Sequence, residues 1–338
     1  MSERPLVTIV MPTYDRLEFL PATVESIFTQ TFRDWELVVA DDGSSAPVVE
    51  YLHSLLRRER VRVLWREHTG SAGKTRNAAL EHARAPLVAF IDSDDVWAPR
   101  KLEKQLAMLR AEPACGWSYS AFVLVDEQGV PLPSERSRRW TALHGHVFDE
   151  TVRGAISIRS PSVVVARTAL VREVGGFDEA LDCAEDYDLW TRLALRSPIS
   201  LVDEPLVHVR THPSNSGRKI GSAYVARDYS LRKLSARLNG RARAIADRER
   251  SRNALARAAA LAAHGDRWTS LAPVASSIRF SWRYSRWWYG AARAVARACF
   301  GRKRPSLLPD AALAARPSVD AIEARLEGRP DKLRARNG

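Results

Sequence analysis

Between residues 6 and 110 the chain passes four times from a short apolar, β-branched run into a segment whose apolar residues recur at helical spacing. "LVTIVM" (6–11) precedes Leu20, Val24, Ile27 and Phe28, and "WELVVA" (35–40) precedes Val48, Leu52, Leu55 and Leu56. "VRVLW" (61–65) then precedes "SAGKTRNAALEHA", and "PLVAFI" (86–91) precedes "RKLEKQLAMLR". Parallel strands need crossovers, normally helical and right-handed, so four consecutive βα units predict an α/β fold with a doubly wound, mostly parallel sheet. Such sheets bind ligands beyond the carboxyl ends of their strands.

Those ends carry "PTYD", "DDGSS", "EHTGSAGKTRN" and "DSDD". For "DDGSS" a solvated turn is as good a reading as a binding site, since Asp and Gly are favoured turn residues. "DSDD" is different, because three carboxylates in four residues repel one another unless a cation or strong donors compensate them. An all-oxygen set of this kind suits Mg2+ or Mn2+, which keep positions open for water and phosphates. Beyond residue 112 the pattern loosens into strand-like "GWSYSAFVLVD" and "SPSVVVA", a turn "GGFDE" and a helix opening at "AEDYDLWTRLAL". A last strand pair is expected in "ISLVDEPLVHVRTH".

Charge divides the chain. Residues 224–338 hold 25 Lys and Arg against 9 Asp and Glu, a net of +16, while residues 1–223 hold 27 against 31, a net of −4. Two parts with different surfaces are expected: a catalytic domain at 1–223 and a basic helical region at 224–338. Cys115, Cys183 and Cys299 are odd in number and lie far apart, which argues against a disulfide framework or a zinc cluster and favours a cytoplasmic setting. The N-terminal run reads as a strand rather than a secretion signal, and no stretch reaches the ~18 uncharged apolar residues that span a bilayer.

"VTIVMPTYDR", "VVADDGSS", "GKTRNAAL", "FIDSDDVW", "GGFDE", "AEDYDLWTRLA" and "VRTHPSNS" follow one another in the order and at about the spacing of inverting glycosyltransferases of family 2, which have the GT-A fold. The resemblance covers roughly residues 5–217. It implies that Pro12, Thr13 and Tyr14 lie against a nucleotide and that Asp41, with Asp42 beside it, meets the base. Arg76 would sit near the base and diphosphate, with Asn77 shaping that loop. Asp92 would face the donor ribose or sugar and Asp94 would ligate the metal. His212 would be a further metal or diphosphate ligand, with Arg210 beside it. Asp186 would be the general base and Glu185 its neighbour. A carboxylate to take the acceptor proton and a metal to neutralise the departing diphosphate are what direct displacement at an anomeric carbon needs. Without the upstream motifs, Glu185 and Asp186 would read as favourable charges at a helix N-terminus. The remaining histidines (53, 68, 82, 144, 146 and 208) lack ligand spacing and read as ordinary polar residues. Trp97 and Trp190 read as core anchors.

The implied activity is transfer of a sugar, with a UDP-sugar favoured as donor, to a glycan or lipid-linked acceptor in polysaccharide or other surface-glycan synthesis. Mn2+ or Mg2+ would be the cofactor. The enzymatic rival is a nucleotidyltransferase, which would place a Gly-rich basic loop after the first strand, where this chain has "PTYDRLE". The other rival is a silent nucleotide-sugar-binding adaptor, against which the retained Asp94 and Asp186 argue.

At residues 277–304 a single helix would align Arg279, Arg283, Arg286, Arg293 and Arg297 in one stripe and gather Phe280, Tyr284, Trp287, Trp288, Ala291 and Val295 on another sector. That pattern suits peripheral contact with an anionic membrane at the cytoplasmic face, and equally suits packing on the catalytic domain. Nucleic acid is not expected, because no recognisable module is present and the acidic first part would repel phosphates.

Overall fold

The structure, a computed structural model, describes residues 4–133, 142–155, 158, 160–212, 220–263 and 269–300. The "GRKR" terminus of the basic segment, the "PSNS" end of "VRTHPSNS" and the whole stretch 134–141 therefore lie outside the described residues. The chain divides into two compact units, Met1–Asn215 and Ser216–Gly338.

The first unit is built on one eight-stranded sheet in the order β3-β2-β1-β4-β7-β6-β8-β5. Its first four strands are β1 (Val7–Thr13), β2 (Trp35–Asp41), β3 (Val61–Trp65) and β4 (Leu87–Phe90). They pair in parallel, with β1 between β2 and β4. β1 and β2 are buried along their whole length, which is why both read as unbroken apolar runs rather than alternating ones. The crossovers are α1 (Leu20–Phe28), α2 (Ala46–Leu55) and α3 (Ala72–Glu81), and α4 (Lys101–Ala111) follows β5. Leu20, Val24 and Ile27 of α1 and Val48, Leu52 and Leu55 of α2 are buried in the core as the spacing predicts, whereas Leu56 stays 43% exposed.

The second half of the sheet contains β5 (Val96–Trp97), β6 (Trp117–Val125), β7 (Val164–Arg167) and β8 (Ile199–Arg210). Short helices α5 (Phe148–Val152) and α6 (Thr168–Glu173) and the longer α7 (Glu185–Arg196) complete the unit. The expected strand pair at 199–212 is instead the single strand β8. "DEP" looks like a turn, but here it carries an irregularity in the register between β8 and β6, around Ala121 and Pro205. A proline has no N–H for the ladder, and a bulge accommodates that locally without ending the strand. β5 pairs antiparallel with β8, Val96 opposite His208 and Trp97 opposite Val207. "DSDD" is thus pinned from both sides, by β4 before it and by β8 through β5 after it. Trp97 and Trp190 are both buried; Trp97 donates its indole N–H to the Ser162 carbonyl at 2.9 Å, and Trp190 stacks on Trp117.

The second unit is helical: α8 (Ile220–Arg237), α9 (Gly240–Ala263), α10 (Leu271–Ser281) and α11 (Ser285–Phe300). The single helix expected across 277–304 is broken, within its described part, at residues 282–284. The turn lets α11 fold back so that Trp287, Ala291 and Ala294 bury against Ala258 of α9 and Val274 of α10. Trp287 donates to the Ser277 hydroxyl at 3.1 Å. A Cβ on Gly290 would meet the end of the Leu255 side chain at 2.5 Å, so α9 and α11 pass close together here. The aromatics expected on one sector are therefore divided: Trp287 is buried, while Trp288 is 51% exposed. Among the described residues no helix is long and apolar enough to cross a membrane.

Candidate active site

The carboxyl ends of β1 and β2 lie side by side, with Pro12 opposite Ala40 and Thr13 opposite Asp41. One Asp41 oxygen accepts from the Ser44 N–H at 3.0 Å. The other, Oδ1, and the Thr13 hydroxyl are buried and have no hydrogen-bond partner among the described residues. A buried polar atom left unmatched costs about 1–3 kcal/mol, which a ligand offering hydrogen bonds there would remove. Beside them Tyr14, 42% exposed, stacks on His68 with ring centroids 4.0 Å apart. Asp42 turns the other way. Its carboxylate accepts from the Thr69 N–H and hydroxyl and from the Gly70 N–H, and lies 3.1 Å from His68 Nδ1, so it organises the 68–70 loop. Gly43, at φ 80°, lets that loop pass close by: a Cβ there would meet the His68 backbone nitrogen at 2.8 Å.

Arg76 projects from α3, whose N-terminus is capped by the Ser71 hydroxyl. Its guanidinium is buried and forked, one nitrogen donating to Asp92 Oδ1 at 2.6 Å and another to Glu185 Oε1 at 2.7 Å. It also lies over the Phe177 ring, 5.3 Å from the centroid. The two carboxylates hold the arginine firmly charged, more than offsetting the cost of its burial. Gly73 permits this closeness of α3 and α7, since a Cβ would meet Glu185 Cγ at 3.3 Å. Asn77 donates to the Phe177 carbonyl and accepts from the Phe177 N–H, tying down the "GGFDE" turn.

Asp92, Asp94 and Asp95 bring one carboxylate oxygen each to within 4.8 Å of one another. Their environments differ. Asp95 is buried, with Oδ2 accepting from the Ser160 and Ser162 hydroxyls at 2.6 Å and Oδ1 accepting from the Arg210 N–H at 2.9 Å. Burial, reinforced by the charges of Asp94 and Asp92, pushes its pKa well above the ordinary carboxylate range. Asp92 and Asp94 keep side-chain exposures of 25% and 15%, so they are the more accessible pair of the three. Asp94 Oδ2 lies 2.7 Å from Nε2 of the buried His212, and His212 packs against Phe19. The Arg210 guanidinium turns to the Asp94 carbonyl at 2.9 Å and to the Glu127 carbonyl. Two part-exposed carboxylates beside a third and an imidazole form a donor set that fits a hard divalent cation such as Mn2+ or Mg2+.

Asp186 stands in the first turn of α7, after Ala184, which adopts a left-handed backbone conformation at φ 55°. That conformation costs a non-glycine residue about 1–2 kcal/mol and sets the entry angle of "ED" into the helix. Burial, then repulsion from Glu185, raises the Asp186 pKa to about 7, although the Tyr187 N–H donates to it at 2.7 Å. Such a carboxyl exchanges a proton near neutrality, as a general base must.

Arg76 is the connection between these centres. Of the residues singled out from sequence, Asp41, Thr13 and Tyr14 share one sheet edge, while Asp92, Asp94, Asp95 and His212 share another cluster. Glu185 joins that cluster through Arg76. Asp42 instead spends its side chain on the 68–70 loop, and the Arg210 guanidinium reaches the Asp94 and Glu127 carbonyls. Sequence reading passed over His68, Ser160 and Ser162. The serines gave no signal beyond standing at the head of "SPSVVVA", and their pairing with Asp95 depends on β7 lying next to β4.

Residues 8–167 match the family model described as glycosyl transferase family 2. A Bacillus subtilis protein named for a glycosyltransferase of teichuronic acid biosynthesis (TuaG) is 31% identical over 156 residues, 46% of this chain and 62% of its own length. The Escherichia coli protein WfgD, named as a UDP-Glc:alpha-D-GlcNAc-diphosphoundecaprenol beta-1,3-glucosyltransferase, is 29% identical over 59% of this chain and 73% of its own. The chain thus spans less than two thirds of the Bacillus relative. Among solved structures, S. aureus TarS 1–349 with UDP-GlcNAc superposes with a TM-score of 0.65 at 17% identity, over 86% of this chain and 89% of that one. A Pyrobaculum calidifontis mannosyltransferase with GDP-Man and Mn2+ superposes at 0.56 and 18% identity, over 88% and 87%. These likenesses bear out the expected GT-A fold.

Proposed function

Because residues 8–167 are a glycosyl transferase family 2 domain in a GT-A fold, we propose that the chain is an inverting glycosyltransferase of cell-surface glycan assembly. It takes a sugar from a nucleoside diphosphate donor, a UDP-sugar, and attaches it to a hydroxyl of a lipid-linked glycan at the cytoplasmic face of the membrane. The observation that carries this reading is the single buried arginine that joins Asp92 of "DSDD" to Glu185, next to an Asp186 carboxyl poised at about 7. A base and an acidic, cation-fitting cluster are held at the two ends of one rigid strut.

In this reading Asp41 and Thr13 hold the nucleobase through their unmatched buried oxygens, and the Tyr14–His68 stack borders it. Asp92 orients the donor sugar. Asp186 takes the proton of the incoming hydroxyl as the new bond forms at the anomeric carbon and the bond to the diphosphate oxygen breaks. Asp94, with Asp92 and His212 beside it, would hold Mn2+ or Mg2+, which when bound supplies positive charge to the departing diphosphate. UDP-GlcNAc in the TarS complex and UDP-Glc in the name of WfgD support the choice of donor. Mn2+ in the Pyrobaculum complex, whose donor is GDP-Man, supports the metal, and the diphosphoundecaprenol in the name of WfgD supports the acceptor.

The test is release of nucleoside diphosphate from UDP-, GDP- and dTDP-sugars in the presence of a diphosphoundecaprenol-linked acceptor. UDP-sugar turnover that requires Mn2+ or Mg2+ is expected. Asp186→Asn should lower turnover by ~10²–10⁴ and leave donor affinity unchanged. Wild-type turnover in that variant would remove Asp186 from the mechanism.

A further inference from the structure

We propose that the exposed face of α11, with the turn before it, docks on an anionic lipid bilayer. The inference deepens the reading above, which gives the protein a reason to meet a bilayer, but it stands on a different surface. At 3.6 residues per turn, the buried positions Trp287, Ala291 and Ala294 take one side of α11. Trp288, Tyr289, Ala292, Val295 and Ala296 gather in a second sector about 120° wide, interrupted only by Ser285. All of them are exposed: Tyr289 is 68% exposed, Trp288 51% and Val295 45%. Trp282, 55% exposed in the turn, extends the patch, and the Trp288 indole N–H donates to its carbonyl at 2.9 Å. A helix already anchored on one side should present a polar opposite face, and this one presents indole, phenol and methyl groups.

The charges around the patch select the occupant. Arg286 and Arg293 are exposed along one flank of the sector. Arg283 lies over the Trp282 ring, 5.0 Å from its centroid, and Arg293 lies 5.8 Å from that of Tyr289. Guanidinium groups stacked on ring faces keep their N–H donors free in direction for phosphate, at the depth where Trp and Tyr settle in a bilayer interface. Between Asp266 and Asp310 the sequence has nine Lys and Arg and no Asp or Glu. A second copy of the chain would bring two such arginine rows together, and like charges oppose that. An apolar sector bordered by arginine, on a helix that cannot span, is what lies in the plane of an anionic surface.

The experiment is flotation of the full chain with vesicles of phosphatidylglycerol and phosphatidylcholine, and with phosphatidylcholine alone. Binding to the anionic vesicles only, weakened by salt, is expected. Each arginine at the surface contributes about fivefold, so Arg286→Glu with Arg293→Glu should weaken binding by about 25-fold or more. Trp288→Ser with Tyr289→Ser should weaken it by at least about tenfold even at low salt, which a purely electrostatic contact would not do. All four positions are exposed, and unchanged thermal melts would verify that the variants fold. Equal binding to neutral vesicles, no binding to either, or binding that the Trp288/Tyr289 variant retains would overturn the proposal. So would a concentration-dependent dimer that the same variant abolishes, which would assign the face to a second copy. Stabilisation by UDP with Mn2+ is measured on the same variants and should match wild type; its loss in wild type would count against the enzymatic reading alone.

Discussion

Replacing Asp186 by Asn should raise stability and lower turnover together. In the folded chain the Asp186 pKa is raised from 3.8 to about 7, first by burial and then by Glu185. The folded state therefore keeps a proton that the unfolded chain releases between about pH 4 and pH 7. The sign follows: stability falls as pH rises through that window, and above pH 7 the full cost of holding an ionised carboxylate is present. A rise of that size corresponds to at most about 4 kcal/mol. Asp186 is only part-buried, and its contact with solvent should reduce this to ~2 kcal/mol. An asparagine can keep the bond from the Tyr187 N–H while carrying no charge. At pH 8 the variant should melt about 4–8 °C above wild type, at 2–4 °C per kcal/mol for a unit of this size, and below the unfolded value of 3.8, at about pH 3, the gain should vanish. Wild-type kcat/KM should rise about tenfold per pH unit up to about 7 and then level off, while the variant stays low throughout. An Asp186→Asn protein whose melting temperature equals that of wild type at both pH values would refute the reasoning, because the carboxyl would then titrate as it does in water.

Other outcomes follow from the same contacts. Arg76→Met leaves the part-buried Asp92 and Glu185 without their shared cation and should destabilise by about 2–3 kcal/mol in chemical denaturation, less than for a fully buried pair; adding Glu185→Gln should return part of the loss. Asp41→Ala should weaken UDP by about tenfold in calorimetry, because the unmatched oxygen beside Thr13 is removed. Gly43→Ala should cost about 1–3 kcal/mol by thermal melt and weaken UDP as well, since its Cβ collides with the backbone of His68. Ala184→Gly should stabilise by about 1 kcal/mol, by relieving the left-handed backbone ahead of Glu185.

The βα repeat made the first half of the sheet legible, because an apolar run followed by a helical one has few other ways to bury itself. The second half was less so. "ISLVDEPLVHVRTH" reads as two strands because Asp, Glu and Pro resemble a turn, and only its partner β6 reveals a bulged single strand. The acids of the site stood out as local motifs. Their supports did not: Ser160 and Ser162 reach Asp95 across more than sixty positions, and Arg76 reaches Glu185 across more than a hundred. Long-range pairings of this kind depend on strand order, which periodicity does not encode. Helical spacing likewise extended one helix through residues 277–304, although burial of Trp287 in a second-unit core favours two within the described part.

The most direct test of the account is calorimetric titration of the full chain with UDP in Mn2+ and in EDTA, repeated with Asp94→Ala. The account predicts tight binding only with the metal, at least about tenfold weaker in EDTA, with the variant insensitive to Mn2+. Equal UDP affinity in all four titrations would contradict it.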